Sequence, residues 1–284
     1  MFNFLKRLKI DPKSRLKENL GNFSLPTFPS VVLEALDKIR HPKSDSDAIA
    51  KILSTDPGLT VRVLKTVNSA AFSTSRKIEN IRQAVAMLGL SQLETMLLSV
   101  SVSNALPREN TECYNFNDFW SASVMRATMA RNLAAIMCPR QKVDCFTTGL
   151  LQDMALPFLV RNYPQEYLQI LGQWRSQGGN LADIERSVFD WDHAEAATWL
   201  CAEWNLPERL AIMIGGHQGS LEVGQDVPPP VKIVSLLRDT KRDNGMTLIA
   251  SLLQNDFDWD EERVKRFLDD SQESSKELLR MITG

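Results

Sequence analysis

The sequence predicts an all-α fold, and three observations carry that expectation. Apolar residues recur at three- and four-residue spacing along almost the whole chain. Helix-starting and helix-stopping residues bracket those runs. Nowhere do several β-branched runs alternate with period two. At 284 residues, 43% hydrophobic and 24% charged, the chain can bury a sizeable core, which excludes a largely disordered protein.

The first helix follows Phe28-Pro29-Ser30, with Val31, Val32, Ala35, Leu36 and Ile39 on one face. His41-Pro42 ends it, because a residue before proline leaves the helical region. Ile49, Ile52 and Leu53 mark a second helix, capped by Asp45 or Ser46. Asp56-Pro57 opens a third, with aspartate as N-cap and proline in the first turn; its buried side is Leu59, Val63, Leu64 and Val67. A short helix over 78–88 stops at Gly89. Ser91 and Glu94 have capping-box spacing, and the helix they open carries Leu93, Met96, Leu97 and Val100. It stops before Pro107. The polar, proline-marked stretch 107–117 is the expected subdomain boundary, separating residues 24–106 from 115–284.

In the second half, Asp118 is expected to cap a long helix through Met137. A helix over 143–154 ends in Leu150-Leu151-Gln152-Asp153, and Pro164 opens another through Trp174. Gly178-Gly179-Asn180 reads as a turn and cap. Further helices are expected around 181–188, 193–204, 207–216, 229–242, 246–254 and 260–282. The stretch 218–230, rich in glycine and proline, reads as the flexible loop. No repeat of fixed period, Rossmann fingerprint, P-loop, G-x-S-x-G or H-E-x-x-H is present.

Thirty-three basic residues against 35 acidic ones give a net charge of −2, which argues against whole-surface nucleic-acid binding. No nucleic-acid partner is expected. Residues 1–23 form a basic arm with Lys6, Arg7, Lys9, Lys13, Arg15 and Lys17 against Asp11. The expectation is an arm folded onto the body, with a membrane-surface or partner-binding helix as the alternative. It has neither the h-region nor the cleavage site of a secretory signal, and no stretch is long and apolar enough for a membrane span. Cys113, Cys138, Cys145 and Cys201 form no Cys-x-x-Cys. They read as reduced, mostly buried thiols of a cytoplasmic protein. Trp191, Trp199 and Trp204 cluster near His193 as packing rather than as a base-stacking platform, for no dense basic run accompanies them.

Five stretches carry a resemblance. They are AIAKILSTDPGLTVRVLKTVNSAAF (48–72), IENIRQAVAMLGLSQLETMLLSVSV (78–102), and FWSASVMRATMARNLA followed by TGLLQDMALPFLV and DHAEAATWLCAEWNLPERLAIMIGGHQ. In order and spacing these resemble the HDOD domain family over roughly residues 24–240. The resemblance implies an HD-related multi-helix bundle with an N-terminal helical subdomain. It also implies a place in bacterial signalling, usually as a non-catalytic output or scaffold domain. No receiver or cyclic-dinucleotide segment is left over, so a stand-alone member is expected.

HD-type enzymes hold metal on histidines and aspartates that converge from several helices. In the resemblance the first ligand histidine falls at Ala122, which has no donor. The histidine of the His-Asp pair falls at Gln152, a poor ligand for divalent transition metals. Asp153, His193, His217 and Asp239 occupy the remaining ligand-like positions. Each also has a structural reading. Asp153 could pair with an arginine or cap a neighbouring helix. His193 starts a helix and could bond solvent or backbone. His217 follows a Gly-Gly helix end, where an imidazole meets orphan carbonyls.

The expectation is therefore a non-catalytic signalling output or scaffold protein acting through protein–protein contacts. It would have no catalytic residues and no resident cofactor, and a single divalent metal is the exception to consider. The alternative is a metal-dependent phosphohydrolase acting on a nucleotide or phosphoester. A third reading is a nucleotide-sensing module that keeps the cleft without turnover. A signalling protein partner and a small ligand in the degenerate cleft are the expected contacts.

Overall fold

The computed structural model describes residues 27–41, 45–68, 77–219, 226–237 and 244–283. Five helices come first: α1 (Ser30–Arg40), α2 (Ser46–Leu53), α3 (Pro57–Val67), α4 (Ile81–Leu88) and α5 (Leu90–Ala105). Their ends follow local chemistry. Asp45 accepts from Asp47 N at 3.0 Å, Asp56 from Leu59 N at 2.9 Å and Asn80 from Gln83 N at 2.9 Å. Each side chain thus satisfies an otherwise orphan amide. His41 is extended, as its proline neighbour demands. Gly89, at φ 74°, closes α4 and starts α5, a backbone conformation that disfavours a side chain. Asn68 donates to Leu64 O and Ile78 O and accepts from Ile78 N, which ties the end of α3 to the entry of α4. Ser69, the next residue, lies outside the described residues.

Two expected caps are corrected. Helix α5 begins at Leu90, with Gly89 at the N-cap, so Ser91 lies inside the first turn rather than before it. Glu94 is buried, and its Oε1 accepts from Arg40 Nε at 2.7 Å, a tertiary ion pair. The long helix α6 (Phe116–Met137) starts three residues early, because Asn115 accepts from Asp118 N at 3.1 Å and Phe116 is itself buried.

After a 3-10 turn (Pro139–Gln141), α7 (Lys142–Leu151) ends sooner than expected. Gln152–Ala155 turn, and a separate α8 (Leu156–Asn162) begins with Pro157, whose missing N–H suits a first turn. Then come α9 (Pro164–Gln177), α10 (Leu181–Phe189), α11 (His193–Glu203) and α12 (Glu208–Gly215). The last three are α13 (Pro229–Val234), α14 (Gly245–Phe257) and α15 (Glu261–Thr283). Helix α13 stops at Val234, short of the expected 242; residues 238–243 lie outside the described ones. Among the described residues no strand forms, and the one β pairing is an isolated bridge between Thr111 and Tyr114.

Helix α6 runs between two apolar clusters. One face, including Phe119, Trp120 and Val124, joins the large core that extends from Phe28 to Leu278. The other, including Met129 and Leu133, packs with Val231, Ile249, Trp259 and Phe267 from α13, α14 and the chain around α15. Helix α15 lies against both α6 and α3, and α5 lies against both α1 and α7. Helices α6 and α7 approach closely at Gly149, where a Cβ would stand 2.9 Å from Arg126 O. That approach brings the end of α7 to the middle of α6, where the polar residues of the interior collect. No described helix is long and apolar enough to cross a membrane.

Candidate functional site

Asp153, His193 and His217 converge, their ligand-type atoms all within 4.8 Å of one another. Asp153 follows α7, His193 opens α11 and His217 follows α12. Asp153 Oδ1 is 3.2 Å from His217 Nε2 and 3.5 Å from His193 Nε2, and the two Nε2 atoms are 3.3 Å apart. All three residues are buried. Asp239, the fourth sequence-predicted position, lies outside the described residues.

Local structure aims both imidazoles. An Asp192–Glu195 capping box fixes the start of α11, and Arg186 forms an ion pair with Asp192. Glu185 Oε2 takes both the His193 backbone N–H, at 2.8 Å, and ring Nδ1, at 2.5 Å, while Tyr167 donates to Glu185 Oε1 at 2.8 Å. His217 Nδ1 donates to Ile214 O at 2.6 Å, one of the orphan carbonyls at the end of α12. With each Nδ1 anchored, each Nε2 points at the cluster. The Gln218 amide closes it, 2.9 Å from His217 Nε2 and 3.3 Å from His193 Nε2.

Arg126 is the cation of the site. It is 2% exposed, and its Nη1 meets Asp153 Oδ2 at 2.8 Å. Nη1 also donates to Leu237 O at 3.2 Å and Nη2 to Ser123 Oγ at 3.0 Å. Burial alone would raise the Asp153 pKa; Arg126, then His217 and His193, instead hold the carboxyl well below its usual range. Burial would likewise lower the His193 pKa, yet Glu185, Asp153 and Asp192 hold the imidazolium up to about 9.

Asp153, His193 and His217 each offer one ligand-type atom, a donor set that could hold one divalent ion. A divalent ion needs lone pairs from neutral imidazole and carboxylate. Here one Asp153 oxygen is bound to a guanidinium. Ala122 shares the inner face of α6 with Phe119 and Arg126 but brings no donor. The Gln152 side chain is fully buried, and neither its Oε1 nor its Nε2 has a hydrogen-bond partner. Arg126 engages Asp153 Oδ2, while Oδ1, the oxygen that faces both imidazoles, has no hydrogen-bond partner.

Sequence reasoning missed Arg126, Glu185, Tyr167 and Gln218. A signal existed for two of them. Glu185 stands on the apolar side of α10 with Leu181 and Ala182, and Arg126 sits in an otherwise apolar stretch of α6. Charged residues on a buried face are rare unless paired.

Among the described residues, a helical bundle encloses the Asp-His-His cluster. The HDOD domain family model matches residues 25–219, and the chain belongs to that family. An uncharacterized protein of Treponema pallidum (strain Nichols) is 25% identical over 219 residues, 77% of this chain; those residues span 42% of that relative's length. Among solved structures, the "Putative phosphohydrolase" of Shewanella amazonensis SB2B superposes with a TM-score of 0.70 at 21% identity, covering 95% of this chain and 98% of its own. A "Putative signal transduction protein" of Marinobacter aquaeolei VT8 gives 0.67 at 16%, covering 96% and 66%. At these identities the likeness is one of fold.

Proposed function

We propose that this chain is a non-catalytic signal-transduction output or scaffold protein, acting in the cytoplasm through protein–protein contacts. In this reading the Asp153–His193–His217 cluster is a structural remnant of a metal site. The observation that carries it is the buried Arg126–Asp153 ion pair at 2.8 Å. A fixed guanidinium on the one described carboxylate of the cluster supplies the positive charge that a hydrolytic metal would supply, without an open position for water. Residues 24–106 and 115–284 would be its two helical subdomains, packed through the shared core. The convergence of three ligand-type atoms favours a second reading, a metal-dependent phosphohydrolase.

Elemental analysis of the purified protein, with phosphodiesterase and phosphatase assays in added manganese or iron, tests the choice. The expected result is metal well below one ion per chain and turnover equal to the buffer control. Stoichiometric metal, lost together with turnover in His217→Ala, would establish the phosphohydrolase instead.

A further inference from the structure

We propose that Cys138 and Cys145 form an oxidant-sensitive thiol pair that closes to a reversible disulfide. This modification site goes beyond the signalling role and is independent of how the Asp-His-His cluster is read.

A tight local turn brings the two thiols together. Cys138 caps the end of α6, its N–H donating to Ala134 O at 2.9 Å. Its carbonyl accepts from Gln141 N at 2.9 Å, which closes the 3-10 turn Pro139–Gln141. Helix α7 opens at Lys142, and Cys145 lies one turn into it. The chain thus reverses with residues 139–144 between the two cysteines, and α7 packs back along α6. Both side chains join the same apolar cluster, beside Met129 and Met213. Both are free thiols, and they lie within hydrogen-bond reach of each other.

Their surroundings differ, and the difference assigns their roles. Cys138 is half-buried, whereas Cys145 is closed to solvent. Burial pushes both thiols above their ordinary range. At Cys138 the hydrogen bond with Cys145 offsets part of that rise. At Cys145 the neighbouring Cys138 and the Asp144 charge add to it. The thiolate is the nucleophile, so Cys138, the sulfur that solvent reaches and that its neighbour stabilises, reacts first. Its sulfur attacks hydrogen peroxide: an S–O bond forms, the O–O bond breaks, and the leaving hydroxide takes the Cys138 proton to become water. Cys145 then attacks the Cys138 sulfenic acid. The S–S bond forms, the S–O bond breaks, and hydroxide leaves with the Cys145 proton as a second water. Two thiols are oxidised by two electrons and one peroxide is reduced to two waters. Because burial holds both protons on, the first step is slow at neutral pH and answers sustained peroxide.

The other two cysteines provide the contrast. Cys113 Sγ stands 3.4 Å from Thr111 Oγ1, and Cys201 is 1% exposed. Among the described residues neither meets a second thiol.

Peroxide treatment of the full chain in native buffer, followed by alkylation in denaturant, tests the pair. The expected result is the loss of two of the four thiols. Tryptic digestion without reductant should then yield residues 132–140 joined to residues 143–161, and dithiothreitol should release them. In Cys145→Ser the sulfenic acid on Cys138 has no resolving thiol, so dimedone should label it. In Cys138→Ser the Cys145 thiol should survive the same treatment. If either variant fails to fold, the wild-type peptide map decides alone. Three results would overturn the proposal. One is absence of the cross-linked peptide at a peroxide exposure that fully oxidises free glutathione. Another is Cys138 carried on to sulfinic acid while Cys145 stays a thiol. The third is Cys138 or Cys145 bridged mainly to Cys113, to Cys201 or to a second chain.

Discussion

Arg126 Nη1 stands 2.8 Å from Asp153 Oδ2 in the interior of the helical bundle, so Asp153 is neutralised by a side chain 27 residues earlier, on α6. A buried pair of this kind is weak evidence of net stabilisation, but losing one partner leaves an uncompensated charge. Arg126→Met should therefore cost about 3–5 kcal/mol of unfolding free energy in urea titration. The double variant Arg126→Met with Asp153→Asn should recover a large part of that loss. A single variant as stable as wild type would show that Asp153 finds its counter-charge elsewhere.

The His193–Glu185 contact makes a second prediction, on pH. An unfolded histidine titrates near 6.5; in the fold His193 is held at about 9. The contribution is complete below pH 6.5, where both states hold the proton. It declines as pH rises and is gone once pH passes the folded value. Unfolding free energy should accordingly fall between about pH 6.5 and 9, by something on the order of 3 kcal/mol. Glu185→Gln removes the main charge that raises the imidazole, so this slope should flatten even though the variant starts less stable. An unchanged slope would assign the titration to another group.

The helical plan was legible in the sequence because its signals are local. Asp56-Pro57, Asn180 and Gly89 act on amides or dihedrals within a few residues, and each does in the fold what its residue type suggests. The errors came where tertiary demand overrides local chemistry. Glu94 had capping-box spacing, but Arg40, 54 residues away, takes its carboxylate. Asp153, His193 and His217 were legible through spacing that resembles a family. Their supports were not, because Glu185 and Arg126 act across helix pairs and no spacing rule links them to the residues they hold. The alternative readings of Asp153 and His217, an arginine partner and an orphan carbonyl, match the contacts formed with Arg126 and Ile214.

A third prediction tests how α7 is seated. A Cβ at Gly149 would lie 2.9 Å from Arg126 O and 3.1 Å from Ala127 Cα, both backbone atoms that cannot swing aside. Gly149→Ala gains helix propensity, worth about 1 kcal/mol, but must push α7 away from α6. Overpacking of this sort costs about 1–3 kcal/mol, so the net effect should be a lowered thermal midpoint. The displaced end of α7 carries Asp153, so the pH slope assigned to His193 should change as well. A stabilised Gly149→Ala would mean that the helices separate more easily than their contact implies.

The last prediction tests the proposed reading of the cluster as a metal-site remnant, and whether Arg126 would block an ion there. Ala122 lies on the face of α6 that carries Phe119 and Arg126, and Gln152 precedes Asp153 with both amide atoms buried and unpartnered. Replacing both with histidine adds two imidazoles where the HD-type arrangement places them. If missing donors are the whole deficit, Ala122→His with Gln152→His should take up manganese or iron to near one ion per chain. Arg126, however, would still hold an Asp153 oxygen, and like charge repels an incoming cation. The double variant is therefore expected to bind only weakly. Adding Arg126→Met should raise its affinity by at least about tenfold, the scale of effects seen when groups around a metal site are altered. Binding is read by calorimetry at pH 7 and again at pH 8.5; affinity should rise with pH because His193 must release its proton to become a ligand. Equal affinity with and without Arg126 would show that the guanidinium moves aside at little cost, and the ion pair would then no longer argue against metal in the natural protein.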